Sequence, residues 1–277
     1  MKVFNKGNVR NFIIMGICIL LSFALSLGGY MGYDYYSQSK DADSSKVPSV
    51  ELSPATVDSV EKTSVSDFDE YQDEEKQAMA RRFDFDKLAA TVPDLYAWIY
   101  IPDTHIDYCV VHDKVSSQKY VWSDIYGESS SVGCIFTYDT DEKDMLRVIY
   151  GHHLSGPAKM FTELTNYDDY SWARSHPYVY IYYKDRIEKW AVWAPQYVDK
   201  THGVYQYPYY KNESDYESLI NTLDSSFGEK YCEKPTSSEH IIVLSTCDSA
   251  INGTSGRYIV PLKLQETLSL TEKEKKD

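Results

Sequence analysis

Cys247 closes an apolar run, HIIVLST at residues 240–246, and Arg257 opens the next one, RYIVPLKL. Between them lies a polar loop containing Asn252-Gly253, a dipeptide that favours tight hairpin turns. If the two runs pair as a hairpin, a thiol and a guanidinium stand side by side at one rim of a sheet. A cation there favours the thiolate, and can later bind the oxyanion that forms when sulfur adds to a carbonyl. Taken alone, a free cysteine is more often a small core residue. The chemical reading therefore needs a third group.

A cysteine nucleophile works with a nearby base or acid. Of the seven histidines, His105, His112, His176, His202 and His240 lie singly in strand or turn contexts. His152 and His153 differ. They follow the strand-like LRVIY and Gly151, a strand-end position where functional side chains are often displayed. Neighbours in extended chain face opposite sides, so one of the two should face the cysteine. No HExxH or CxxC occurs, and adjacent histidines do not present two ligands on one face, so no metal site is expected. No cofactor motif is present either.

These residues need elements to position them. Short β-branched and aromatic runs recur from residue 98 onward: WIYIP, IDYCVV, GCIFTYD, RVIYG, YVYIYY, IEKWAVWAPQYV, HIIVLST and RYIVPLKL. About eight strands this closely spaced suit a closed or sandwiched all-β core better than alternating βαβ units. Helices are expected at 73–82 and 85–91, with Pro93 ending the second. Two helical inserts are expected in the strand-rich part. One spans 158–167 and the other 214–226, where Ser214 and Glu217 have capping-box spacing.

The chain has 277 residues and a formal charge of −14, which argues against nucleic acid as a partner. Residues 12–33 carry no charge and are long enough to cross a bilayer. Lys2, Lys6 and Arg10 precede them, which places the N-terminus in the cytoplasm and the remainder outside. The length of the run favours a retained anchor over a cleaved signal peptide. Residues 34–75 read as an acidic, solvated linker. The expected organisation is a cytoplasmic tail (1–11), an anchor (12–33), that linker, a catalytic domain (76–266) and a charged tail (267–277).

Residues 83–264 resemble class B sortases, the membrane-anchored cysteine transpeptidases of Gram-positive bacteria. The resemblance is carried by FDKLAATVPDLYAWIYIPDTHIDYCVV, YGHHLSGPAKMF, HPYVYIYY and LSTCDSAINGTSGRYIV, with arginine ten residues after the cysteine. It implies a mainly β fold: a closed eight-stranded barrel with N-terminal helices, helical insertions and a long helix-bearing loop at 197–239. It also implies roles. Cys247 is the nucleophile, and His152, the histidine after glycine, is the general acid/base, with His153 as the fallback. Arg257 positions substrate and stabilises the oxyanion, while Tyr150, Ser245, Thr246 and Val121 bind the sorting signal.

The implied partners are surface proteins bearing a C-terminal sorting signal, of NPxTN/G or S/PPxTG type. The acceptor is a peptidoglycan-precursor amine (lipid II) or a pilin lysine, and the membrane is met through the anchor. A non-catalytic signal-binding module is the rival from another class. SVGCIF at 131–136 is similar to the Ser-His-Gly-Cys motif of L,D-transpeptidases, but Val132 replaces the histidine. The chain departs from the class B pattern at Cys109, where proline is common, and at Cys134, where serine or alanine is common. Neighbouring strands could link the two as a disulfide, although buried free thiols are the favoured reading.

Overall fold

The computed structural model describes residues 31, 33, 35–41, 51–52, 73–115, 118–138, 144–156, 159–206, 212–225, 231–247 and 255–270. The expected anchor at 12–33 lies outside these apart from residues 31 and 33. Most of the expected linker and the end of the C-terminal tail lie outside them too. Among the described residues, no helix is long and apolar enough to cross a membrane.

Two short strands, β1 (Glu51–Leu52) and β2 (Arg82–Phe83), form a separate antiparallel pair. The main sheet is built from β3 (Leu95–Tyr100), β4 (Asp107–Asp113), β5 (Ile135–Tyr138), β6 (Leu146–Tyr150), β7 (Tyr178–Tyr182), β8 (Arg186–Val192), β9 (Gln196–Asp199), β10 (Ile241–Cys247) and β11 (Gly256–Ser269). Eight of these nine close into a barrel, in the ring order β10-β6-β5-β4-β3-β7-β8-β11, with β11 pairing back onto β10. The β10–β6 and β4–β5 pairs are parallel, and the other pairs of the ring are antiparallel.

The ninth strand comes from a run that reads as continuous in sequence. IEKWAVWAPQYV divides into β8 and β9 around Pro195, which has no N–H to give to a ladder. Both pieces then lie along the same edge of the long β11. β8 takes Leu262 to Ser269, and β9 takes Gly256 to Ile259.

Residues alternate strictly across β10. Ile242 and Leu244 join the barrel interior with Ala97, Ile99, Val110, Ile149, Val260 and Leu262. Ile241 and Val243 face outward, beneath the helix Glu213–Ser225, whose Tyr216, Leu219, Ile220 and Leu223 cover them. Burial on both faces explains why this run reads as continuously apolar. Other elements cover a second outer face. The helices α1 (Asp73–Ala80) and α2 (Phe85–Thr91) seat Met79 and Leu88 there, against Trp98 and Tyr182. The Asp84 carboxylate caps α2 by accepting from the Lys87 amide at 2.9 Å.

The expected helix at 158–167 instead forms a 3₁₀ segment, Thr162–Asp168, followed by α3 (Tyr170–Ser175). Asp169 separates the two and caps α3 through the amides of Ser171 and Trp172. The Glu213–Ser225 helix, α4, starts one residue before the expected cap. Asn212 does the capping, with its side-chain oxygen accepting from the Asp215 amide at 2.9 Å. Asn212 and Asp215 thus replace the expected Ser214 and Glu217. Within the expected linker, residues 35–41 are helical and contact the barrel domain. Asp41 accepts from both the amide and the hydroxyl of Ser131, at 2.8 and 2.7 Å.

Candidate active site

Three adjacent strands assemble the site. β10 is central and ends in Cys247. On one side, Cys247 is the direct register partner of Arg257 in β11. On the other, Ser245 is the partner of Tyr150 in the parallel strand β6, and the Gly151 amide donates to the Ser245 carbonyl at 3.1 Å. β6 therefore delivers His152 alongside the end of β10. Because Ile241 and Val243 face outward, the same period-2 alternation turns Ser245 and Cys247 outward. Ile259 likewise belongs to the outer layer, which places Arg257 on that face. The site thus lies on the outside of the barrel wall at its rim.

A cavity of about 410 Å³ opens there, lined among others by His152, Cys247, Arg257, Tyr150, Ser245, Thr246 and Val121. All seven residues singled out in the sequence line this one space. Cys247 is exposed. Gln118, Phe136, Tyr138, Gly151, Lys200 and Tyr205 complete the cavity walls.

The two neighbouring histidines have different partners. His152 Nε2 lies 2.7 Å from the carbonyl oxygen of Val121. A carbonyl only accepts, so Nε2 carries a proton in either charge state. Nδ1 is left as the nitrogen that can gain and lose one. The imidazole also lies against the Trp122 ring, with centroids 5.2 Å apart and planes at 43°. His153 is exposed, and its Nδ1 lies 3.1 Å from the backbone oxygen of Cys247. His153 therefore touches the main chain of the cysteine from outside the cavity that His152 lines.

The family model described as the sortase domain covers residues 99–265, more than half of the chain. The chain belongs to the sortase family. Its relatives include sortase B of Listeria monocytogenes, 27% identical over 178 residues that span 62% of this chain and 70% of that protein. Its fold is similar to that of Staphylococcus aureus sortase B in a substrate complex, with TM-score 0.59, 24% identity and coverage of 66% of this chain and 84% of that one. Clostridium perfringens sortase B gives TM-score 0.60 at 22% identity, covering 66% of this chain and all (100%) of that one. Membership of the family supports a cysteine transpeptidase that acts on a sorting signal.

Against this sortase frame, several wall residues carried no sequence signal. Tyr205 sits in the 3₁₀ turn Gly203–Tyr205, inside the long β9–β10 connection, and its hydroxyl is 2.7 Å from Ser245 Oγ. Burial pushes its phenol up to about 12; the Ser245 hydrogen bond and Arg257 oppose this, and Cys247 adds to it. Tyr205 stacks on Tyr150, which stacks in turn on Phe136, so an aromatic wall runs away from the thiol. Burial raises the Tyr150 phenol above its ordinary range as well. Both phenols stay neutral near pH 7 and act as hydrogen-bonding, stacking surfaces. Tyr205 comes from a tyrosine-rich loop without periodicity, so nothing in the sequence marked it.

The other cysteines of the sortase domain are elsewhere. Cys109 lies in β4 and Cys134 immediately precedes β5, each next to one of the parallel partners Val110 and Ile135. Both are free and buried. Burial pushes the Cys109 thiol up to about 12 and raises that of Cys134 well above its usual range. Cys232 is free and half-buried.

Proposed function

We propose that the chain is a class B sortase in which Cys247 is the nucleophile, His152 the general acid/base and Arg257 the oxyanion partner. The observation that carries this reading is the arrangement of strands. The cysteine's strand lies between the strand that leads into His152 and the strand that bears Arg257, and all three residues open onto one cavity.

The Cys247 thiolate adds to the carbonyl carbon of the threonine in a C-terminal sorting signal. The oxygen takes up the electron pair, and the Arg257 guanidinium stabilises its charge. Collapse breaks the C–N bond. His152 gives its Nδ1 proton to the departing amine, leaving a thioester and a neutral imidazole. An incoming amine then attacks the thioester, His152 Nδ1 takes a proton from it, and the thiolate leaves. Both groups return to their starting charge states, and the net reaction exchanges one amide for another.

The signal fits the NPxTN/G or S/PPxTG pattern, lying along Tyr150, Ser245, Thr246 and Val121. The accepting amine belongs to a cell-wall precursor. Residues 12–33 hold the enzyme in the cell membrane with residues 1–11 in the cytoplasm. The catalytic domain, expected over 76–266, lies outside, where sorting-signal-bearing surface proteins meet it. The barrel, the Staphylococcus aureus substrate complex and the uncharged N-terminal run support this reading.

A panel of quenched fluorescent peptides carrying NPxTN, NPxTG, SPxTG and PPxTG, incubated with the full chain, tests it. Cleavage between threonine and the next residue by the parent, and its loss in Cys247→Ala, are expected. Equal cleavage by Cys247→Ala would refute the assignment.

A further inference from the structure

Trp122 is a large apolar side chain left 63% exposed. Hydrophobic burial does not explain its place, because most of its surface stays in water. Its backbone is nevertheless held firmly. The Trp122 amide donates to the Lys119 carbonyl at 3.2 Å, and its own carbonyl accepts from the Ser130 amide at 3.0 Å. The loop between is closed by buried Asp124, whose carboxylate accepts from the amides of Tyr126 and Glu128 at 2.9 and 3.0 Å. The indole of this anchored residue lies against the imidazole of His152.

One short turn, the 3₁₀ segment Lys119–Val121 with Trp122 as its C-cap, thus grips His152 twice. Val121 accepts from Nε2, and the Trp122 ring lies tilted against the imidazole, with centroids 5.2 Å apart and planes at 43°. That separation lies within the range where an aromatic face attracts a cation. His152 carries charge when both ring nitrogens are protonated, which is its state as the acid in the first half-reaction.

We infer that Trp122 is a positioning residue for the proposed reaction: its indole holds the His152 ring and favours the imidazolium that protonates the leaving amine. The inference rests on the reading of His152 as the acid/base and adds a residue to it. Trp122 acts through His152 and does not itself line the cavity.

A double-mutant cycle tests this in the full chain. Trp122→Leu keeps an apolar side chain and loses the aromatic ring; its kcat should fall about 2- to 5-fold, the exposed cation–π range expressed as a rate, with KM for the peptide unchanged. Trp122→Phe, which keeps a π-face, should stay within about twofold of the parent. In a His152→Ala background, Trp122→Leu should have no further effect on the residual rate. Trp122 emission should change on His152→Ala, and no such change should appear in Trp122→Phe. An equal loss from Trp122→Leu in both backgrounds would overturn the inference while leaving the role of His152 intact. A rise in KM at unchanged kcat would make Trp122 a substrate wall and overturn it too. Full activity of His152→Ala would instead remove the underlying reading.

Discussion

Gly133→Ala puts the smallest possible change beneath the His152 cradle. Gly133 has φ of +59°, a left-handed conformation that costs a residue with a Cβ about 1–2 kcal/mol. A Cβ there would stand 2.5 Å from the Val121 carbonyl oxygen, 2.9 Å from that of Tyr120 and 3.1 Å from Cδ2 of His152. The first two are backbone atoms, which cannot rotate aside. Ordinary contact begins near 3.4 Å, so the Val121 oxygen must move by about 0.9 Å, with overpacking of about 1–3 kcal/mol. Moving away from the new methyl also disturbs the 2.7 Å bond to His152 Nε2. Together these give a loss of about 2–5 kcal/mol, less than the stability of a typical domain, so the variant folds.

The second consequence is kinetic. Loss of one hydrogen bond, about 0.5–1.5 kcal/mol, lowers kcat roughly 2- to 12-fold in the folded enzyme. Guanidinium unfolding followed by tryptophan fluorescence gives the first number, and peptide cleavage below the transition gives the second. Parent-like stability together with parent-like kcat would refute the account of how His152 is held.

Tyr205→Phe removes the hydroxyl that meets Ser245 Oγ while preserving the ring stacked on Tyr150; we expect kcat/KM for the signal peptide to fall about 2- to 12-fold, the worth of one hydrogen bond, and stopped peptide assays to show it. Iodoacetamide at pH 7.5 should label exposed Cys247 first and leave buried Cys109 and Cys134 unmodified in the folded protein. Burial holds the Cys109 thiol near 12, so its thiolate is scarce at that pH; peptide mapping checks the order of labelling. Ser37 and Ser131 hydroxyl oxygens are 3.5 Å apart, so in a Cys247→Ala background the Ser37→Cys/Ser131→Cys pair should cross-link on mild oxidation. A pair that stays reduced on non-reducing gels would contradict the docking of residues 35–41.

The hairpin that bears Cys247 and Arg257 was legible because its signals are local. Two apolar runs flank an Asn-Gly loop, and the resulting register sets Cys247 directly opposite Arg257. Helix α2 was equally plain, between its Asp84 cap and Pro93. What could not be read depends on partners distant in sequence. Pro195 splits one run into two strands only because the long β11 offers both pieces the same edge. The expected helix at 158–167 holds helix formers such as Glu163 and Leu164, yet residues 162–168 pack Leu164 and Tyr167 into the barrel core as a 3₁₀ segment. What sets His152 apart from His153 is a carbonyl 31 residues upstream, at Val121. Tyr205 reaches Ser245 across 40 residues of chain, from a loop with no pattern.

The central claim is that sulfur forms a bond to the substrate at Cys247. Intact-protein mass spectrometry of the full chain, mixed with excess signal peptide and quenched in acid within a turnover, tests it most directly. The account predicts a mass increase equal to the peptide up to and including threonine less one water, mapped to Cys247, labile to hydroxylamine and absent in Cys247→Ser. Cleavage that proceeds with no adduct on Cys247, or an adduct on any other residue, would contradict it.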